Sequence, residues 1–150
     1  MSNGLDWSPD DRLFYHVDSR TRTLTRYGWD ADDGVPHSPE PLITLAPAEG
    51  MPDGLAVDID GFLWIAIWGG AQVRRYDPLG RPAGSVMLPT PNVASCTFGG
   101  PELSDLFITT AAMGIAPDTA DWEYAGSTFV IPAVGQGQAR STFGAHFSKS

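Results

Sequence analysis

The chain has 150 residues, 42% of them hydrophobic and 18% charged, with a formal net charge of −9 at pH 7; this is enough apolar material for one packed domain and too much for a disordered tail. Fourteen of the eighteen acidic residues are Asp, which excludes electrostatic capture of a nucleic-acid backbone and makes a cation the better-matched partner. Seventeen glycines and thirteen prolines leave little room for long helices and favour short strands joined by tight turns, so the expected class is all-β.

In chain order, the segment from Asn3 to Tyr27 overlays the segment from Asp53 to Tyr76 at an offset of about fifty positions. Asn3-Gly4-Leu5 falls on Asp53-Gly54-Leu55, Asp10-Asp11 on Asp60-Gly61, and Leu13-Phe14-Tyr15 on Leu63-Trp64-Ile65. Each copy reads as a strand, a tight turn and two more strands. Between them the Pro-rich stretch 35–47 supplies turns and an outer strand expected over Leu42 to Leu45. The run 62–67, Phe-Leu-Trp-Ile-Ala-Ile, is continuously apolar but too short for a typical helix, as in a strand covered on both faces. Asp77-Pro78-Leu79-Gly80 reads as a turn. A shorter third copy starts near Ala94, with Cys96-Thr97-Phe98 and Leu106 to Thr110 as its first two strands. Residues 113–127 read as an irregular loop and 140–150 as a tail.

Repeats of this length with four strands each are the pattern of propeller blades. The expected fold of 1–150 is therefore a partial β-propeller of about three four-stranded blades. Three blades leave two sheet flanks uncovered, so the chain is expected to assemble or to be a portion of a longer one. No apolar run of about 18 residues offers a membrane span. Ser2-Asn3-Gly4 stands where a leader peptide would be basic and then apolar, so a soluble, cytoplasmic protein is expected. Cys96 is the only cysteine and sits among apolar neighbours, as a packed core thiol does.

Taken together, Ser2-Asn3-Gly4-Leu5-Asp6-Trp7-Ser8, Pro52-Asp53-Gly54-Leu55-Ala56-Val57-Asp58, Gly61-Phe62-Leu63-Trp64-Ile65-Ala66, Trp68-Gly69-Gly70 and Ser95-Cys96-Thr97-Phe98-Gly99-Gly100 resemble the gluconolactonase/SMP-30 family, whose members include regucalcin-like proteins. The resemblance implies a six-bladed propeller that hydrolyses sugar lactones with one divalent cation in its central channel, and it places this chain in the C-terminal half. It also implies that Asn3 and Asp53 are metal ligands and that Asp53 is the general base. A third ligand, a Glu, belongs to an N-terminal half without counterpart here. None of Glu40, Glu49, Glu102 or Glu123 lies in the matching motif.

The chemistry suits those residue types. An amide oxygen and a carboxylate are hard donors, suited to calcium, magnesium or manganese and acceptable to zinc. Equivalent positions in successive repeats would aim both at one axis. Against this stands the structural reading, since Asn-Gly and Asp-Gly are frequent tight-turn dipeptides. Asp18 could orient a ligand from behind, although an Asp before Ser19 more often forms a turn. Trp68 reads as a core filler rather than as lining of the channel mouth. His16, His37 and His146 have no metal-ligand spacing, and Asp30, Asp32 and Asp33 read as a solvated turn. The expected partner is a sugar lactone, without nucleic acid or membrane, and two copies closing into six blades would bring together four oxygen ligands. The rival expectation is a non-catalytic calcium-binding or interaction module on the same scaffold.

Overall fold

The computed structural model describes residues 1–139. Eleven strands form three antiparallel sheets among these residues. The first is β1 (Ser2–Trp7), β2 (Leu13–Asp18), β3 (Thr23–Asp30) and β4 (Val35–Thr44), paired in that order. The second repeats the pattern with β5 (Met51–Val57), β6 (Leu63–Trp68), β7 (Gln72–Tyr76) and β8 (Pro82–Met87). The third has β9 (Val93–Gly99), β10 (Asp105–Thr110) and β11 (Thr128–Ile131). This is the partial propeller expected from the repeats, except that the third sheet shows three strands among the described residues, and the 140–150 tail lies outside them.

The sheets stack face to face, with β1 against β5 and β5 against β9. Two apolar layers result. Tyr15, Val17 and Leu24 of the first sheet meet Leu55, Val57, Leu63, Ile65 and Ile67 of the second. Ala56, Trp64, Ala66 and Val73 turn the other way, onto Cys96, Phe98, Leu106 and Ile108. The uninterrupted apolar run in β6 follows from this placement, because alternate side chains enter different cores and neither face sees water. Cys96 is buried in the second layer, and burial pushes its thiol up to about 12.

The first and second repeats match in detail. Both first strands carry an irregularity at the dipeptide of interest, between Ser2 and Leu5 and between Pro52 and Leu55. Asp11 (φ 54°) and Gly61 (φ 82°) occupy the same left-handed turn position. Ser8 Oγ accepts the Arg12 amide at 3.3 Å, as Asp58 Oδ1 accepts the Phe62 amide at 2.8 Å.

Two strand boundaries differ from expectation. The outer strand of the first sheet starts at Val35 rather than Leu42. Its prolines are tolerated because β4 is an edge that pairs with β3 alone, and the ladder shifts register twice along it. The first strand of the third sheet starts at Val93, ahead of Cys96. From Ala111 to Ser127 the chain runs without strands and contains one short 3-10 turn, Ala120–Trp122.

Candidate metal centre

Asn3 and Asp53 lie in β1 and β5, inside strands rather than at hairpin tips. The tight-turn reading of Asn-Gly and Asp-Gly is therefore corrected. Their glycines serve a different purpose, which is close approach between sheets. A Cβ on Gly4 would lie 2.5 Å from the Leu55 nitrogen and 2.6 Å from the Asp53 carbonyl oxygen. One on Gly54 would lie 2.5 Å from the Ser95 Cα. Only hydrogen at these positions lets β1 settle on β5 and β5 on β9.

That approach brings the two predicted ligands together. The Asn3 side chain lies near enough to the Asp53 carboxylate to lower its pKa, and its Nδ2 donates to Ser19 Oγ at 3.2 Å. Burial raises the Asp53 carboxyl above its ordinary value of 3.8, and the Asn3 contact partly offsets the rise. A half-turn of the Asn3 amide would replace its N–H donor by the carbonyl oxygen, the hard atom a cation requires, at the same place. The pair therefore fits a divalent cation as two of its oxygen ligands. Among the described residues, no group of three His, Cys, Asp or Glu side chains could hold a metal.

Other carboxylates, the buried Asp6 and Asp58 and several at the surface, are engaged in the fold. Asp6 accepts the Val57 amide at 2.8 Å, tying β1 to β5. Asp58 accepts the Trp64 indole N–H at 2.9 Å as well as the Phe62 amide. Glu40 pairs with Arg26 and Glu49 with Arg74, each at 2.6 Å. Asp30 Oδ1 accepts the amides of Asp32 and Asp33 at 3.0 and 3.1 Å, the solvated turn expected there.

A pocket of about 330 Å³ opens beside Asp53, lined also by Met1, Ser19, Met51, Trp68 and Met113. It sits where β1 and β5 begin and β6 ends. Trp68 thus borders the pocket, half-buried, and is not a core residue. Asp18 turns to the Met1 ammonium and to the Arg20 amide, and the ammonium holds its carboxyl below the usual range. The residue touching Asn3 is instead its neighbour Ser19, which is buried. Ser19 and Met113 escaped the sequence reading because they come from a turn and a loop. The one available signal was Ser19 directly after the Phe14 to Asp18 strand. Asn92 supports the Met113 turn by donating from Nδ2 to the Met113 carbonyl at 2.8 Å.

Residues 1–112 match the family model described as the SMP-30/gluconolactonase/LRE-like region. The chain belongs to that family. It is 39% identical over 137 residues to regucalcin of Danio rerio, an alignment covering 90% of this chain and 46% of the relative. The solved structure of a calcium-binding protein, regucalcin, from Agrobacterium tumefaciens superposes with a TM-score of 0.86 at 30% identity, covering 92% of this chain and 48% of the other. A gluconolactonase of Xanthomonas campestris superposes with a TM-score of 0.62 at 32% identity, over 72% of this chain and 34% of the other. The chain thus spans about half the length of the curated relatives it matches. None of its described helices is long and apolar enough to cross a membrane.

Proposed function

We propose that this member of the family takes part in divalent-metal-dependent hydrolysis of sugar lactones, with Asn3 and Asp53 as metal ligands and Asp53 as general base. The observation that carries the reading is the contact between the Asn3 amide and a half-buried, pKa-raised Asp53 at the edge of a pocket. The relative named gluconolactonase supports the substrate class. A bound calcium, zinc, manganese or magnesium ion would supply a Lewis acid for the lactone carbonyl. Asp53 accepts a proton from the water that attacks this carbonyl. The ring C–O bond then breaks, and the released alkoxide takes up a proton to give the open hydroxy acid. Desolvation keeps the Asp53 carboxylate more basic than a surface Asp, and Asn3 fixes its direction.

Two oxygen ligands make a weak cage. Because the chain spans about half of its relatives, the remaining ligands come from further sheets, supplied by more of the same polypeptide or by a second copy of this chain. The two-ligand site also favours a second reading, a calcium-binding or interaction module without turnover, in line with the calcium-binding relative. Hydrolysis of glucono-δ-lactone by the purified protein with manganese, zinc or calcium separates the two. Cation-dependent turnover that Asp53→Ala lowers by ~100-fold or more is expected. Turnover indifferent to that substitution rejects the mechanism, and a chain that binds calcium without turnover takes the second reading.

A further inference from the structure

The wall this chain contributes beside Asp53 is chemically one-sided. Met1, Met51, Met113 and Trp68 face the pocket with three thioethers and an indole, and Ser19 is the polar side chain beside Asp53 in the lining. Polar groups around it are already engaged. Ser19 Oγ accepts from Asn3, and the Asn92 amide donates to the Met113 carbonyl. A polyhydroxylated ring against this wall would lose water from most of its hydroxyls and find only the Ser19 hydroxyl proton and the Asp53 carboxylate in exchange. An alkyl or aryl group would instead cover the adaptable thioethers and the indole edge. The volume, about 330 Å³, is at the small end of ligand pockets, enough for one ring with a short substituent.

We propose that this wall selects lactones bearing an apolar substituent, alkyl or aryl, over fully hydroxylated ones. The proposal rests on reading the Asn3 and Asp53 site as a lactone site and, within the sugar lactones proposed above, shifts the preference toward those in which an alkyl or aryl group replaces hydroxyls facing this wall. Met113 sets the preference from a turn outside the sheets, held by Asn92, and Met51 sets it from β5.

Stable lactams stand in for the lactone ring, so binding is read without turnover. The full chain, labelled with carbon-13 at its methionine methyls, is titrated with a butyl-substituted δ-valerolactam and separately with gluconolactam. Met87, exposed on β8 and absent from the pocket lining, is the internal control. The butyl lactam is expected to shift the Met51 and Met113 signals with an affinity ~10-fold tighter than gluconolactam, leaving Met87 in place. In Met113→Gln, which keeps the chain length and lies at a 75% exposed position, the gap should narrow to about threefold or less. Equal or tighter binding of gluconolactam, binding of neither, or an unchanged gap in Met113→Gln overturns the proposal. Selectivity without cation-dependent turnover would sink the hydrolytic reading while leaving the wall's preference intact.

Discussion

Asp53 is maintained at a cost to the fold that solution measurements can read. Burial raises its carboxyl above 3.8, so between that value and its folded-state value the native protein binds more protons than the unfolded chain. Stability contributed by this group is therefore greatest at acid pH and falls as pH rises through the folded value. Asp53→Asn, without cation, should raise the melting temperature at pH 7, and the difference should vanish as pH falls toward 3.8. A lower melting temperature at pH 7 would mean that the carboxylate is held by something other than Asn3. At this scale Asn3 and Asp53 were legible because the repeat sets them at one position in two copies. Asp18 read more readily as a turn former than as an orienter, and its carboxylate accepts the Arg20 amide; Ser19 was not singled out, because consecutive residues at a strand end point to different partners and only the turn geometry decides which meets the amide.

The elements were legible where alternation and turn chemistry agreed. The β6 run announced burial on both faces, and Ile65 and Trp64 do enter opposite cores. The edge strand β4 was under-read because its prolines oppose a central strand but not an edge. A turn reading of Asn-Gly and Asp-Gly stood beside their placement at the start of a strand, since sequence does not show which backbone will lie against these glycines. Gly4→Ala tests that packing role. A methyl 2.5 Å from the Leu55 nitrogen forces β1 away from β5, and a loss of about 2–3 kcal/mol in denaturant unfolding is expected. It should also part Asn3 from Asp53. Ile65→Ala, by contrast, should cost about 2–5 kcal/mol through a cavity between the first two sheets and leave the pair in contact.

Across the whole molecule, the outward face of the first sheet carries a half-exposed aromatic cluster that no other sheet covers among the described residues. Trp7, Phe14 and Trp29 stack there with ring centroids 5.2 to 5.7 Å apart, beside Leu5 at 49% exposure. At the other end Val130 of β11 is 45% exposed. Uncovered faces of this kind drive association, so light scattering of the purified chain should return at least twice its 16.1 kDa, and Trp7→Ser should shift it toward the single-chain mass. A monodisperse single chain would show that the flanks need no cover. Association alone does not establish that a cation is held between β1 and β5. The direct test is a titration of manganese into the chain carrying carbon-13 methionine methyls, because a paramagnetic ion broadens the signals nearest to it even when it binds weakly. The account predicts that Met51 and Met113 broaden well before Met87, and that Asp53→Ala and Asn3→Ala each abolish the difference. Uniform broadening of all methionines, or a Met51 response unchanged in Asp53→Ala, would contradict it.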